Sequence, residues 1–219
     1  MFLGATGAVV VPDSASLRFG TAPGFSAELW INPLGAPSGT ISLLQKTGSF
    51  SLNLINGNTV QATVSVGATS APTTVQSKVV ALPAATAAPS GIATVGVGWS
   101  HVAIVYSSVS STLSTYVNGQ LKDTVTASVA GNVAPTLVDT TAQLVIGPGV
   151  PAPGAAPSPI PAPVAWTTTT PVAVPIVPIL IVDEVKLSRV ARTQAEIAIS
   201  AFTKTTVTSQ RYHRHCLLV

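Results

Sequence analysis

The acidic residues are the first candidates for chemistry, because cleavage of a glycosidic bond needs two carboxyl groups facing one substrate. The two groups must stand about 5–9.5 Å apart. The acids of this chain are Asp13, Glu28, Asp123, Asp139, Asp183, Glu184 and Glu196. No two of them stand two or four positions apart on a predicted strand, and the adjacent Asp183 and Glu184 should point to opposite faces. We therefore expect no glycosidase activity.

Nucleophilic hydrolysis is not supported either. His101 is the only histidine ahead of the C-terminal tail, and it lies in a run of strand-forming residues. This position predicts a structural ring, packed on a sheet and hydrogen-bonded. The sequence contains neither a Gly-x-Ser-x-Gly turn nor a glycine-rich phosphate loop. We expect that the protein is not an enzyme.

The C-terminal tail carries three residues of types that bind zinc: His213, His215 and Cys216. A structural zinc site takes four ligands in tetrahedral geometry, so this set is a poor match. The alternatives are a basic tail that docks on a partner through Arg211 and Arg214, and a solvated terminus. Cys216 is the only cysteine, so no disulfide can form within the chain.

Aromatic side chains could stack on sugar rings. Trp30, Trp99 and Tyr116 lie in predicted strands, so we expect them in the core, with the two tryptophans between the sheets. Trp166 follows a proline-rich run and is the best single candidate for a binding contact.

The composition decides which elements must hold these residues. Only 8% of the 219 residues are charged, where about 25% is usual. The 18 prolines and 17 glycines, with abundant Val and Thr, predict an all-β protein. The most apolar run, residues 171–182, is shorter than the roughly 20 residues that span a membrane. A net charge of +3 does not favour nucleic-acid binding, which needs a dense basic face.

Alternating apolar and polar residues predict short strands joined by tight turns. The Asn56–Gly57 and Asn118–Gly119 pairs are hairpin signals. Thr193 and Glu196 predict a capping box at the start of one helix over residues 193–199. The predicted strands cover residues 25–32, 41–45, 49–55, 59–66, 99–106, 112–117, 120–127, 142–146 and 179–187.

Two segments interrupt the strand rhythm. Residues 65–95 are rich in Ala, Thr and Val and should hold one or two extra strands, and residues 148–178 contain ten prolines. We interpret both as insertions into one domain that covers residues 1–219, with a basic tail at 203–219.

An ordered series of short motifs resembles laminin-G-like, concanavalin A-like jelly rolls. The series begins at residues 17–33, with Leu-Arg-Phe-Gly at 17–20 and Phe-Ser-Ala-Glu-Leu-Trp-Ile-Asn-Pro at 25–33. It continues with Gly-Trp-Ser-His-Val-Ala at 98–103 and ends with Ile-Val-Asp-Glu-Val-Lys-Leu at 181–187. The resemblance implies an all-β, two-sheet antiparallel sandwich with one short C-terminal helix. It does not imply one function, because the family includes lectins, adhesion modules and virion proteins.

The resemblance also implies a calcium site at the rim of the sandwich. The matching acidic positions are Asp183 and Asp13. Calcium takes six to eight oxygen ligands, usually with two or more carboxylates, and this chain has few acids. The alternative is that Asp183 and Glu184 bind neighbouring loops by hydrogen bonds. No other cofactor is expected.

A charge-poor surface suits a subunit whose faces are covered by neighbours. We therefore expect a non-catalytic structural protein of a virion surface, a capsid decoration or tail component, that forms a homo-oligomer or packs on other subunits of the particle. The N-terminus does not resemble a secretory signal. The alternative is a carbohydrate-binding or adhesion module of a cell surface, and glycan binding is compatible with both.

The uncharged segment 148–178 should carry the contacts to neighbouring subunits, together with the basic tail. Its prolines lower the entropy cost of docking. The predicted contact residues are Ile160, Val164, Trp166, Val174 and Ile176, with Arg211 and Arg214 in the tail.

Overall fold

The structure is a computed structural model that describes residues 2–3, 7–34, 38–83, 98–128, 135–148 and 180–205. Within these ranges the chain forms thirteen strands, one 3-10 turn at Ala15–Leu17 and one α-helix. The strands are β1 (Phe2–Leu3), β2 (Val9–Val11), β3 (Gly24–Pro33), β4 (Thr40–Lys46), β5 (Phe50–Ile55), β6 (Thr59–Val66), β7 (Thr73–Gln76), β8 (Val80–Ala81), β9 (Ser100–Ser107), β10 (Thr112–Val117), β11 (Gln120–Thr126), β12 (Leu144–Ile146) and β13 (Leu180–Ser188). The helix α1 covers Gln194–Thr205.

The strands form two antiparallel sheets. Sheet A has the order β1-β13-β3-β9-β10-β11, and sheet B has the order β2-β12-β4-β5-β6-β7, with β8 also paired to β6. The first and last strands are neighbours, since β1 pairs with β13 and β13 pairs with β3. The expected two-sheet sandwich with one short C-terminal helix is confirmed.

The core lies between the two sheets and follows the period-2 alternation of the strands. Phe25 is its centre: its ring centroid is 4.7 Å from that of Phe19 and 4.4 Å from that of Phe50. Tyr106 is also buried there, and its hydroxyl donates a 2.6 Å hydrogen bond to the carbonyl of Pro135. Burial raises the pKa of Tyr106 to about 12.

A second apolar cluster covers part of the outer face of sheet A. Ile197 of α1 is fully buried against Ala103, Val105 and Tyr116. The helix begins where the sequence predicts: the Thr193 N–H donates to Glu196 Oε2 at 2.7 Å, and the Glu196 N–H donates to Thr193 Oγ1 at 3.3 Å. It runs to Thr205, past the predicted end at residue 199. Among the described residues, no helix combines the length and apolar character needed to cross a bilayer.

The predicted positions of three aromatic residues need correction. Trp30 and Tyr116 are buried but on the outer face of sheet A, not between the sheets. Strict alternation explains the error for Trp30, because the core takes Leu29 and Ile31 and leaves the residue between them facing outward. Trp99 precedes β9 and is only half-buried, so it is not a core residue.

The predicted strands are present, most of them with ends shifted by one or two residues. The segment 65–95 contributes β7 and β8. Residues 84–97, 149–179 and 206–219 lie outside the described ranges. The division into one domain with two insertions therefore stays a prediction.

Candidate functional site

All seven acidic residues are described, and each has a local partner. Asp139 accepts a 2.7 Å hydrogen bond from the backbone of Gly20, and Asp123 accepts a 2.8 Å hydrogen bond from the backbone of Lys78. Glu196 caps α1. These contacts hold each carboxylate against a hydrogen-bond donor, and they do not bring two carboxylates together as glycoside hydrolysis requires.

Glu28 lies at the centre of a buried polar cluster on the outer face of sheet A. Its carboxylate contacts the Arg192 guanidinium, and its Oε2 is 3.3 Å from His101 Nε2. Burial, the largest single effect, would raise the pKa of Glu28, but the contacts with His101 and Arg192 together outweigh it and hold this pKa below its usual value. Arg192 also donates to Ser200 of α1 at 3.0 Å. The cluster therefore links sheet A to the helix. Because Glu28 is only 1% exposed, its carboxylate is not accessible to a substrate.

His101 has the structural position that its sequence context predicts. Its ring is 1% exposed and meets Trp30 edge-on, with 5.3 Å between centroids. Its backbone N–H donates to the side chain of Asn118 at 2.8 Å. Within the described part of the chain, His101 Nδ1 has no hydrogen-bond partner.

Asp13 is engaged by two cations. Its Oδ2 lies 2.6 Å from Arg18 and its Oδ1 lies 2.7 Å from Lys46, whose side chain is 1% exposed. The hydrogen bonds from Arg18 and Lys46, in that order, lower the pKa of Asp13 to about 2. Lys46 also donates a hydrogen bond to the carbonyl of Ala142. The contacts of Lys46 therefore link β4 to the segment after β2, which holds Asp13, and to the segment before β12, which holds Ala142.

Asp183 and Glu184 lie at a β-bulge, where the register shifts between Asp183 and Lys186. Glu184 has a φ of 49°, an uncommon conformation for a residue with a side chain. Both residues are exposed, and the bulge interrupts the regular alternation on which the prediction of opposite faces was based. In the described ranges no three His, Cys, Asp or Glu residues could hold a metal together. Calcium at Asp13 and Asp183 stays a prediction.

The predicted docking residues lie outside the described ranges, as do the tail histidines and Cys216. These docking residues are Ile160, Val164, Trp166, Val174, Ile176, Arg211 and Arg214.

A candidate binding surface lies instead on the outer face of sheet B, across β4, β5, β6 and β7. A bulge in β4 turns both Leu43 and Leu44 into the core, where each is 0% exposed. It therefore places Ser42 and Gln45, three positions apart, on the same outer face. We call the outer face of these four strands the polar face; its central residues are Ser42, Gln45, Ser51, Asn53, Gln61, Thr63 and Gln76.

The strand register arranges these side chains in two rows across the sheet. In the first row, Gln45 pairs with Ser51, Ser51 with Thr63, and Thr63 with Gln76. In the second row, Ser42 pairs with Asn53, and Asn53 with Gln61. Each row contains only hydroxyl and carboxamide groups, which donate and accept hydrogen bonds without a charge. The hydroxyl oxygen of Ser42 is buried, so Asn53 and Gln61 are the residues of the second row that a ligand can reach.

Several of these groups are available to a ligand. Gln45 and Thr63 are half-buried, Gln76 is exposed, and none of the three makes a side-chain hydrogen bond within the described ranges. Gln61 Nε2 donates to the carbonyl of Ser77 at 3.1 Å, which leaves its oxygen as an acceptor. The polar face can therefore bind a ligand that is rich in hydroxyl groups.

The residues of the polar face are not among those that the sequence patterns predict as functional. A signal is present in β5 and β6, where Ser, Asn, Gln and Thr alternate with core residues. The bulge that aligns Gln45 with them is visible in sequence only as the pair Leu43–Leu44.

Comparison with known proteins identifies the family to which this chain belongs. A family model described as "Concanavalin A-like lectin/glucanases superfamily" matches residues 3–157. The chain belongs to this superfamily. Membership confirms the resemblance drawn from the motifs, and the two-sheet sandwich is the fold that the resemblance implied. No curated protein matches the chain.

Solved structures with this lectin-like fold include binding domains of botulinum neurotoxins. The serotype D binding domain has a TM-score of 0.57 at 14% identity, covering 92% of this chain and 41% of that one. The neurotoxin DC binding domain in complex with rat synaptotagmin II has a TM-score of 0.55 at 12% identity, covering 92% and 42%. At these identities the likeness shows the fold alone. This chain spans less than half the length of those binding domains.

Proposed function

We propose that this protein is a non-catalytic, carbohydrate-binding module that holds glycans on the polar face of sheet B. The observation that carries the proposal is the pair of uncharged hydroxyl and carboxamide rows across β4–β7, with free groups at Gln45, Thr63 and Gln76. Such side chains can match the alternating donors and acceptors of sugar hydroxyls. Membership of the lectin/glucanase superfamily also favours carbohydrates as the ligand class.

The structural neighbours add support at the level of ligand class. One solved binding domain is in complex with SialylT, and another is titled for an interaction with two ganglioside molecules. Those ligands belong to binding domains more than twice as long as this chain, so they suggest glycan binding without locating it here.

The absence of catalysis is the second part of the proposal. Glu28 is buried in an ion pair, and Glu196 caps a helix. We expect no new reducing ends when the protein is incubated with β-glucans, galactans and xylans. Turnover that disappears in Glu28→Gln or Glu184→Gln would overturn this part.

A glycan array tests the binding. The wild-type chain should bind a subset of oligosaccharides, and the double variant Gln45→Ala, Gln76→Ala should lose that binding while its circular dichroism is unchanged. Gln120→Ala is the matched control, because Gln120 is an exposed carboxamide on β11 of the other sheet. Equal loss in the control, or full binding by the double variant, would remove the polar face as the site.

A second candidate is a structural subunit of a particle, most simply a virion surface, with the module facing outward or toward a neighbour. The specific observation is the same uncharged face in a chain with 8% charged residues, since covered surfaces are depleted in charge. A cell surface is the alternative location. Sedimentation of the purified chain tests this candidate: a monomer at all concentrations would argue against an oligomeric subunit.

A further inference from the structure

The helix α1 has a second apolar face besides the one that packs on sheet A. The packed side centres on Ile197, which is fully buried. Four other apolar residues stand at positions i, i+3, i+4 and i+7, the spacing of one continuous stripe along a helix. Ile199 is 62% exposed and Phe202 is 71% exposed, so the two large side chains of this set point away from the sheet. We call the set the helix stripe; its residues are Ala195, Ala198, Ile199 and Phe202.

The apolar surface continues from the helix stripe onto the edge of sheet A. Ala198 lies against the turn between β10 and β11, where a Cβ on Gly119 would be 2.8 Å from the Ala198 Cα. Leu121 follows this turn on β11, is 44% exposed and pairs with Tyr116, the residue that Ile197 covers. Leu121 therefore borders the helix on the same outer face. Because the helix stands on that face, the stripe and Leu121 form a convex ridge.

The end of the chain that follows the helix stripe carries the whole net charge of the protein. Seven of the ten Lys and Arg residues precede the stripe, and the seven acids match them in number. The net charge of +3 therefore comes from Lys204, Arg211 and Arg214, and no acid follows Glu196. Lys204 belongs to the last turn of α1, and the two arginines come later in sequence, outside the described ranges. An exposed apolar stripe is thus joined directly to a cationic segment, residues 204–214.

The size and shape of this surface favour a bilayer over a second protein. A stable protein–protein interface uses about 20–30 residues on each side, whereas the helix stripe and Leu121 offer five apolar residues. A convex ridge also needs a matching groove on a protein partner. A lipid bilayer needs neither, because an amphipathic helix lies in the boundary between headgroups and acyl chains and is held there by apolar burial and by attraction to anionic lipids.

We propose that the helix stripe, Leu121 and the cationic segment 204–214 dock this protein on the surface of an anionic lipid bilayer. Ile199 and Phe202 enter the boundary between headgroups and acyl chains, and the cationic segment binds the anionic headgroups. This docking requires no membrane-spanning segment and does not rest on the proposed function. The two are compatible, since the helix covers sheet A and the polar face belongs to sheet B. A docked protein presents its polar face away from the bilayer.

Co-sedimentation of the full chain with lipid vesicles tests the docking. Vesicles of equal parts phosphatidylcholine and phosphatidylserine carry no sugar, so glycan binding cannot account for sedimentation with them. We expect at least about tenfold weaker binding to pure phosphatidylcholine, since each basic residue near an anionic surface contributes about fivefold in affinity. High salt should remove the difference by screening the charges. No binding to the anionic vesicles, or equal binding to both kinds, would overturn the proposal and leave the proposed function standing.

The double variant Ile199→Gln, Phe202→Gln tests the helix stripe. Glutamine is a good helix former and both positions are exposed, so the circular dichroism should not change. Loss of the two apolar side chains should weaken binding to the anionic vesicles at least about tenfold. Val109→Gln is the matched control, because Val109 is 83% exposed and lies between β9 and β10, away from the stripe. A folded double variant that binds like the wild type, or an equal loss in the control, would contradict the proposal.

A charge variant tests the cationic segment and leaves the helix stripe intact. Arg211→Gln combined with Arg214→Gln should lower affinity for the anionic vesicles about twentyfold and leave binding to pure phosphatidylcholine unchanged. Lys78→Gln is the control, since Lys78 is exposed and follows β7 of sheet B; it should change neither. Unchanged affinity of the double arginine variant would contradict the role of the segment.

Sedimentation velocity distinguishes the bilayer from a second copy of the chain as the occupant of the helix stripe. We expect Ile199→Gln, Phe202→Gln to leave the oligomeric state of the protein as it is in the wild type. A wild-type dimer that this variant converts to a monomer, without vesicle binding by either, would make the stripe an interface between copies and overturn the proposal.

Discussion

At the scale of single residues, the few charges of this protein act as ties between segments that are distant in sequence. Asp13 joins the segment after β2 to Lys46 of β4. Glu28 of β3 holds Arg192 ahead of α1. Because each tie includes a nearly buried partner, loss of one member leaves a charge without its counter-charge.

The Asp13 tie predicts a stability that depends on pH. The folded pKa of Asp13 is about 2, below the unfolded value of about 3.9. The tie therefore contributes stability above about pH 4, and that contribution is lost as the pH falls through about 2. Asp13→Asn should be less stable than the wild type at neutral pH, and urea denaturation should show this difference shrinking in strong acid. A difference that stays constant with pH would contradict the assignment.

Trp30 and Trp99 predict unequal losses of stability when each is truncated to alanine. Trp30 is 6% exposed and packs on His101, so Trp30→Ala should cost about 3–5 kcal/mol. Trp99 is half-buried, so Trp99→Ala should cost less than half of that. Chemical denaturation of both variants measures the contrast. Equal losses would mean that Trp99 is held by packing as extensive as that of Trp30.

At the scale of elements, the helix α1 and the β10–β11 turn form one packing unit. Gly119 occupies the turn with a φ of 76°, and a Cβ placed there would lie 2.8 Å from the Cα of Ala198. The helix can approach the sheet this closely only because position 119 lacks a side chain.

A pair of glycine variants isolates this packing. Gly39 has a φ of 81°, and a Cβ added to it would have no atom of the described residues within 4 Å, so Gly39→Ala should cost only the left-handed backbone penalty of about 1–2 kcal/mol. Gly119→Ala carries the same penalty plus overpacking against the helix, about 1–3 kcal/mol more. Urea denaturation compares the two. If both lost the same stability, the helix would not be packed closely against the turn.

At the scale of the whole molecule, charge and polarity are separated between the two sheets. The outer face of sheet A carries the Glu28 cluster and the helix, whereas the outer face of sheet B carries the uncharged rows. In the described part of the chain, this asymmetry leaves the face of sheet B for recognition, and the helix and the Glu28 cluster occupy the face of sheet A.

The segment at residues 148–178 gives a prediction about assembly. Replacing it with a short Gly-Ser linker should leave the β-sheet circular dichroism intact, because the described strands that form the core lie on either side of it. The same change should abolish oligomer or particle formation, since an uncharged, proline-rich segment is suited to docking. Sedimentation velocity measures the second effect. Assembly equal to that of the full chain would show that the segment is a tolerated insertion.

The sequence by itself determined the sandwich, because period-2 alternation and Asn-Gly turns are local signals that depend only on neighbouring residues. It determined the capping box at Thr193 and Glu196 for the same reason. It also excluded a carboxylate pair along one strand, since the acids are too few and too widely spaced.

Only the tertiary structure decided which face each element covers. The buried ion pair of Glu28 on the outer face of sheet A needs Arg192, which comes from the far end of the chain. The rows of the polar face depend on a bulge at Leu43–Leu44 and on the register of four strands. Register is set by pairing between strands, so a sequence read one residue at a time cannot show which side chains become neighbours.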